Sequence, residues 1–398
     1  MISVGIDVSK EKSTVCILKP YGEIVRKPFD IYHTQTELTR LSTIIRDLDE
    51  EVRVVMEATG VYHLPILTFL KDEGFFVAIT NPLEMKRYRC QGIRSAKTDR
   101  IDSKIIANYG LDFWFHLKEF QSDEDCYYEL RLLGRQYRQY MKFRVENVLA
   151  LTHILDLTMP GLKTMLPDWN KYSGKDKLAD FAYEYWHFDN ITKKTEKQFI
   201  NSYINWAKKK GYRRNEEKAK QLYALAKDGI PTLPSSTPST KMLVQESVKI
   251  VREVDNTLTQ ILSRMQELAK TLPEYPVVRA MSGVGDTLAP RLIAEIGDVR
   301  RFKNGKALIA YAGIDAPPYQ SGKFVGTERH ISKRGSSNLR KVGFETMTCV
   351  RRLKPENDAV YQFIQKKIDE GKPSKVAKIA GFNKFLRIYY ARVMEVYQ

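Results

Sequence analysis

Apolar residues alternate along ISVGIDVS, which sets Ile2, Val4, Ile6 and Val8 on one side of a strand. STVCILKP predicts a second strand, and GEIVRKPFDI a third after the Tyr21-Gly22 turn. Connections this short imply antiparallel pairing. Leu38, Leu41, Ile44 and Leu48 then keep helical spacing. EVRVVMEA is nearly continuous in apolar residues, as strands buried on both faces are. Residues 63–73 predict another helix and FFVAIT a fifth strand. This order predicts an α/β, ribonuclease-H-like sheet over residues 1–115.

Residues 116–272 predict mostly helix. The stretch 128–158 is basic and amphipathic, carrying Tyr128, Leu130, Leu132, Leu133, Tyr137, Tyr140, Met141, Phe143, Val148 and Leu149. Residues 241–272 carry a heptad-like stripe of Val244, Val248, Val251, Leu258, Leu262, Met265, Ala269 and Leu272, broken only by Asp255. The stripe predicts either a coiled coil or one long helix packed inside a bundle. Between these helices, IPTLPSSTPST has three prolines and no charge, which predicts a linker or hinge. Residues 160–229 are rich in Trp, Tyr and Lys and include AKKKGYRRNEEKAK, a solvated helix face or a nucleic-acid contact. Residues 273–398 predict small helices with Gly and Pro punctuation, then a long basic helix.

Composition narrows the class. The 398 residues are 43% hydrophobic and 28% charged, an ordinary globular balance of two or three domains. No run approaches the ~18 apolar residues of a membrane helix, so no membrane partner is expected. Asp7 interrupts the N-terminus before a signal-peptide core forms, and Ile2 excludes N-myristoylation. Cys16, Cys90, Cys126 and Cys349 have no metal-ligand or disulfide spacing, so a reducing, cytoplasmic setting is expected. Lys and Arg total 65 against 48 acidic residues, a net charge of +17 that favours a polyanionic partner, nucleic acid first and an anionic membrane surface second.

Four carboxylates suggest a metal site. Asp7 lies on the first strand, on the side of Ile2, Val4 and Ile6 or one pleat away, and Glu57 closes the fourth strand. Adjacent strand ends can bring such groups together. Asp99 and Asp102 in KTDRIDSKIIANY share a helix face by their i, i+3 spacing. Singly, each has a plainer explanation: a turn cap for Asp7, strand-end chemistry for Glu57, an N-cap and a first-turn carboxylate for Asp99 and Asp102. Together they are four hard oxygen donors suited to Mg²⁺. Between Lys86 and Lys104 lie seven basic residues, including Arg94, Lys97, Arg100 and Lys104, against two acidic ones. A positive collar around carboxylates is expected where a phosphate backbone approaches a metal.

Farther on, Gly283-Val284-Gly285 joins two helices like the helix-hairpin-helix of non-specific DNA binders, or as a plain turn. From Lys323 to Arg352 eight basic residues, among them Lys333, Arg334, Arg340 and Lys341, face two acidic ones. Ser321-Gly322 opens this region without a His–Asp pair to activate it, and Ser332, Ser336 and Ser337 are competing hydroxyls.

The stretches GIDVSKEK, VVMEATGVYH, KTDRIDSKIIA, MSGVGDTLAPRLIAEIGDVRRF, LIAYAGI, YQSG and HISKRGSSNLRK occur in this order. Together they resemble the DEDD-type transposases of insertion sequences, recombinases guided by a bridge RNA. The resemblance covers roughly residues 1–160 and 240–398. It implies a RuvC-like N-terminal domain at 1–115, a helical connector and coiled coil at 116–272, and a transposase domain at 273–398. It implies a quartet of Asp7, Glu57, Asp99 and Asp102 holding Mg²⁺, and Ser321 as the nucleophile that forms a phosphoserine link to one DNA strand. It further implies double-stranded donor and target DNA, a non-coding guide RNA, and homodimers pairing into homotetramers through the coiled coil, with a composite site between protomers. Residues 160–235 are longer than that family's usual connector and form an insert of open role. Two other readings stay open: a RuvC-like nuclease that uses metal-activated water, and a non-catalytic nucleic-acid binder.

Overall fold

The structure is a computed structural model that describes residues 1–90, 98–120, 125–166, 175–317, 320–321, 324–325 and 330–398. It divides into two units, Met1–Ser122 and Asp123–Gln398.

The first unit is a mixed five-stranded sheet with helices on both faces. Its elements are β1 (Ile2–Val8), β2 (Lys12–Leu18), β3 (Ile24–Tyr32), α1 (Gln35–Arg46), β4 (Val52–Glu57), α2 (Leu64–Asp72), β5 (Val77–Thr80), α3 (Pro82–Arg89) and α4 (Asp99–Asp112). The strand order is β3-β2-β1-β4-β5. β1 runs antiparallel to β2 and parallel to β4, the arrangement of a ribonuclease-H-like sheet. Alternation along β1 divides its side chains between two environments. Ile2, Val4, Ile6 and Val8 enter a core with Leu38, Leu41 and Ile45 of α1 and Ile66, Leu67 and Leu70 of α2. Ser3 and Gly5 face α4 instead. A Cβ on Gly5 would stand 2.3 Å from the Ala107 nitrogen, and one on Gly110 would stand 2.2 Å from Ser3 Oγ. Small residues on both surfaces therefore let α4 lie directly on β1.

The second unit is helical and has two cores. Its helix α5 (Asp125–Thr158) leads into α6 (Leu162–Met165), α7 (Lys177–Tyr185), α8 (Asp189–Thr192), α9 (Glu196–Lys210) and α10 (Glu216–Asp228), and the chain returns along α11 (Pro238–Lys270). The predicted stripe of α11 packs along α5 of the same chain. The two helices are antiparallel: Glu129 pairs with Arg264 at 3.0 Å and Arg144 with Asp255 at 2.6 Å. At 34 and 33 residues they form an arm about 50 Å long. Asp255 thus breaks the stripe for a reason, being held by an arginine of the neighbouring helix.

At one end of the arm, Leu151 and Leu155 of α5 and Val244, Val248 and Val251 of α11 join the aromatic core of the insert, with Phe181, Phe199 and Tyr203 buried. The stretch Ile230–Thr240, which reads as a hinge in sequence, is instead fastened. The amides of Thr232 and Leu233 both donate to the Leu157 carbonyl, at 2.9 and 3.1 Å, and Thr240 Oγ1 donates to the Pro234 carbonyl at 2.8 Å. Prolines there turn the chain tightly rather than loosen it.

At the other end the arm meets the C-terminal helices α12 (Tyr275–Arg279), α13 (Leu288–Ile296), α14 (Gly305–Ala312), α15 (Ser337–Leu353), α16 (Ala359–Asp369) and α17 (Ser374–Val396). Between α14 and α15 lie two short antiparallel strands, β6 (Gln320–Ser321) and β7 (Phe324–Val325).

Candidate active site

The parallel pairing of β1 with β4 sets Ile6 opposite Met56. Continuing that register by one residue brings Asp7 beside Glu57. Asp7 alternates with Ile6 and follows Gly5 by two residues, so it lies on the α4 side of the sheet. Of the two orientations open in sequence, it takes the one away from Ile2, Val4 and Ile6. Glu57 shares that side with Val55, which packs against Ile106 of α4 and Met85 of α3.

The N-cap of α4 is Thr98, whose hydroxyl accepts from the Ile101 amide at 3.3 Å. Asp99 is therefore the first helical residue rather than the cap, and Asp102 lies in the same first turn. The free amides and the positive end of the helix dipole favour carboxylates there. Asp99 is exposed and Asp102 buried, because Asp102 precedes Ser103, the residue that packs on Gly5.

These carboxylates sense one another. The Asp7 carboxyl is pushed up to about 7, first by burial, then by Asp102 and Asp99, with a smaller push from Glu57. Arg89 opposes the shift. This last residue of α3 donates to Glu57 at 3.0 Å and lies 3.5 Å from Asp102. Its side chain is 25% exposed, Glu57's 16% and Asp102's 6%, so the bridge is partly shielded from water. The Arg89 guanidinium thus bridges Glu57 and Asp102 and acts on Asp7.

Among the described residues, no three His, Cys, Asp or Glu side chains stand together as a ready set of metal ligands. The donor chemistry nonetheless fits a hard divalent cation: all four groups are carboxylates, and the Asp7 carboxyl is raised by burial and then by its acidic neighbours. Arg100 and Lys104 of the collar are exposed on α4, while Arg94 and Lys97 lie outside the described residues.

In the second unit, Ser321 pairs with Phe324 across the two short strands, and its side chain lies outside the described residues. The base of this segment is closed by its own backbone. The Ser332 amide donates to the Asp315 carbonyl at 2.8 Å, Lys333 to Gly313 at 3.0 Å and Ser336 to Tyr311 at 2.8 Å. Two of the competing hydroxyls are occupied: Ser332 Oγ donates to Asp315 at 2.5 Å, and Ser336 Oγ accepts from the Leu339 amide as the cap of α15.

The basic residues of this region divide. Arg340 donates to the carbonyls of Ala312 and Gly335, at 2.9 and 3.1 Å, and so clamps the base of the segment. Lys333, Arg334 and Lys341 are exposed. Gly283, with φ of 75°, lies against α15, where a Cβ would stand 2.8 Å from the Val350 nitrogen. Gly285 has open space around it. The Gly-Val-Gly turn thus serves packing at its half-buried first glycine and is exposed at its second.

Two residues escape sequence reasoning. Arg89 reads as one more member of the basic collar, and nothing in its spacing marks it as a bridge. Glu295 reads as a polar interruption of an apolar helix. It is buried, accepts from Ser336 at 3.3 Å, and has its carboxyl raised by burial. Ser336 and the guanidinium groups of Arg135, Arg131 and Arg138 oppose that rise.

A transposase model of the DEDD, IS110 type matches residues 4–160, and one described as transposase of the IS116/IS110/IS902 family matches residues 275–362. The insertion element IS116 44.8 kDa protein of Streptomyces clavuligerus is 22% identical over 361 residues, 90% of this chain and 86% of that protein. The pilin gene-inverting protein of Moraxella bovis is 28% identical over 149 residues, 36% of this chain and 46% of its own length. The match thus spans less than half of the Moraxella protein. Thermus thermophilus RuvC, solved with a Holliday junction substrate, superposes over its whole length on 30% of this chain, at 10% identity and a TM-score of 0.24. The class defined here is a transposase with a ribonuclease-H-like sheet at its N-terminus and a helical C-terminal half. The chain belongs to the IS110-type DEDD transposases.

Proposed function

We propose that the chain is an RNA-guided DNA recombinase that cuts and rejoins strands through a covalent serine intermediate. The observation that carries this reading is the Asp7 carboxyl at the end of β1, raised to about 7 by burial and then by the charges of Asp102, Asp99 and Glu57. A basic chain of net charge +17 and relatives named for insertion elements and gene inversion support a DNA substrate.

In this reading the four carboxylates hold a divalent cation, Mg²⁺ by the hardness of the donors. Bound there, such an ion supplies charge stabilisation to a scissile phosphodiester. Asp7 and Glu57 stand on rigid strand ends and Asp102 in a buried first turn, so the ligand set is held by the fold. Ser321 Oγ attacks the phosphorus: an O–P bond to serine forms and the P–O bond to the leaving strand breaks. The serine proton passes to solvent, and the departing oxygen takes a proton. A hydroxyl of the exchanged strand then reverses the step and releases the serine. Exposed Arg100, Lys104, Lys333, Arg334 and Lys341 bind the phosphate backbone in this scheme. The resemblance supplies the remaining parts of the proposal: a non-coding RNA chooses donor and target duplexes, and protomers assemble as dimers that pair into tetramers.

The test is covalent trapping. Purified protein, the RNA transcribed beside its gene, labelled donor and target DNA and Mg²⁺ are combined and resolved on denaturing gels. A protein–DNA adduct is expected that disappears in both Ser321→Ala and Asp102→Ala. Cleavage that survives Ser321→Ala with no adduct overturns the serine mechanism in favour of a nuclease that uses water.

A further inference from the structure

A groove of about 1090 Å³ opens beside the base of the Ser321 segment, between α15, α16 and α17. Its floor is apolar and aromatic, with Phe344 of α15, Phe363 of α16, and Val376 and Ile379 of α17. Its rim is basic: Lys375, Lys384 and Arg387 from α17, with Lys333 and His330 from the segment's base. Among the described lining residues none is acidic, and among the described residues none of the four Lys and Arg groups is paired with a carboxylate. Ammonium groups already stand over both rings, Lys378 at 4.5 Å from the Phe344 centroid and Lys384 at 5.1 Å from that of Phe363.

We infer that this groove is a binding site for unpaired nucleotides of a nucleic-acid strand, an inference that rests on the nucleic-acid reading above. Two physical facts select that ligand. A duplex keeps its base faces stacked and presents phosphates on a convex surface, so it meets a basic rim but does not reach an apolar floor. A single strand offers both, bases to stack on aromatic rings and phosphates to meet cations. A base entering over Phe363 takes the face that Lys384 now covers, and the displaced ammonium is left within reach of that nucleotide's phosphate. The groove begins at Ile314 and His330, the two ends of the segment that carries Ser321.

The test uses the full chain in EDTA, so that no cutting step intervenes. Fluorescence anisotropy follows a labelled single-stranded DNA, the same sequence as RNA, and the same sequence as DNA duplex. Phe344→Ala and Phe363→Ala are each expected to weaken single-strand binding about 5- to 100-fold and duplex binding less than about twofold. Phe363→Trp restores the affinity, which separates stacking from a folding defect. Lys384→Ala lowers the salt slope for single strands by about 0.7. The tighter of the RNA and DNA arms identifies the source of the strand. Single-strand binding unchanged in both alanine variants, or lost equally with duplex binding, overturns the groove and leaves the recombinase untouched. Wild-type protein that binds none of the three probes overturns the nucleic-acid reading itself.

Discussion

Gly5→Ala tests how closely the sheet and the acidic site depend on one another. Gly5 lies in β1 with ordinary strand backbone angles, so alanine fits its conformation. The cost comes from α4. An added Cβ would stand 2.3 Å from the Ala107 nitrogen and 2.4 Å from the Ser103 carbonyl oxygen. Ordinary contact begins at 3.4 Å, so the helix must retreat by about 1.1 Å. Both clashing atoms are backbone, and no side chain can rotate away to relieve them. Overpacking of this kind costs about 1–3 kcal/mol. The same retreat carries Asp102, the residue before Ser103, away from Asp7 and Glu57. A misplacement of ~1 Å costs about 100-fold in a positioned site. The assay pairs urea melting with adduct formation on labelled DNA. The reasoning is refuted if Gly5→Ala melts with the wild type and also forms adduct at the wild-type rate.

Two further predictions concern charge. Asp7 has a folded pKa raised above that of the unfolded chain, so in EDTA the wild type loses stability as pH climbs from about 4 through about 7. Asp7→Asn removes that loss: thermal melts should coincide near pH 4, and at pH 8 the variant should be more stable by about 1–2 kcal/mol, a shift of three units discounted for partial exposure. Arg89→Ala removes the cation that bridges Glu57 and Asp102. Mn²⁺ should then bind about tenfold more tightly, as read by electron paramagnetic resonance, while the EDTA form melts lower; unchanged affinity would show that the bridge does not compete with metal.

Much of the first unit is legible because its signals are local. Alternation in ISVGIDVS and the apolar run of EVRVVMEA name two neighbouring strands, and i, i+3 spacing sets Asp99 and Asp102 in one helical turn. Which face Asp7 takes is not set by alternation alone. The hint is in the small residues Ser3 and Gly5, which mark the side a helix must approach closely, but a small residue signals closeness only once its partner is known. The same limit hides Arg89 and Glu295: their roles lie in contacts with residues tens of positions away, Arg89 with Glu57 and Glu295 with Ser336. The stripe on α11 predicts a long apolar seam without saying what covers it, and Asp255 is a flaw in that seam until Arg144 is seen beside it. Proline content misleads at Ile230–Thr240, because prolines stiffen a turn that backbone hydrogen bonds then fasten.

The antiparallel course of α5 and α11 has a topological consequence. The chain leaves the C-terminal bundle along one helix and comes back along the other, so the departure and return points of the insert lie side by side. Residues 159–237 are, in effect, the contents of a hairpin loop grown large, and the arm beneath them closes without their help. A chain that traded them for a short turn would keep the Arg144–Asp255 bridge and every contact below it. It would expose Leu151, Leu155, Val244, Val248 and Val251, now buried in the insert's core, and those five positions would have to turn polar. An element that can be gained or shed by rewriting the adjoining ends of two helices is a natural place for related chains to differ.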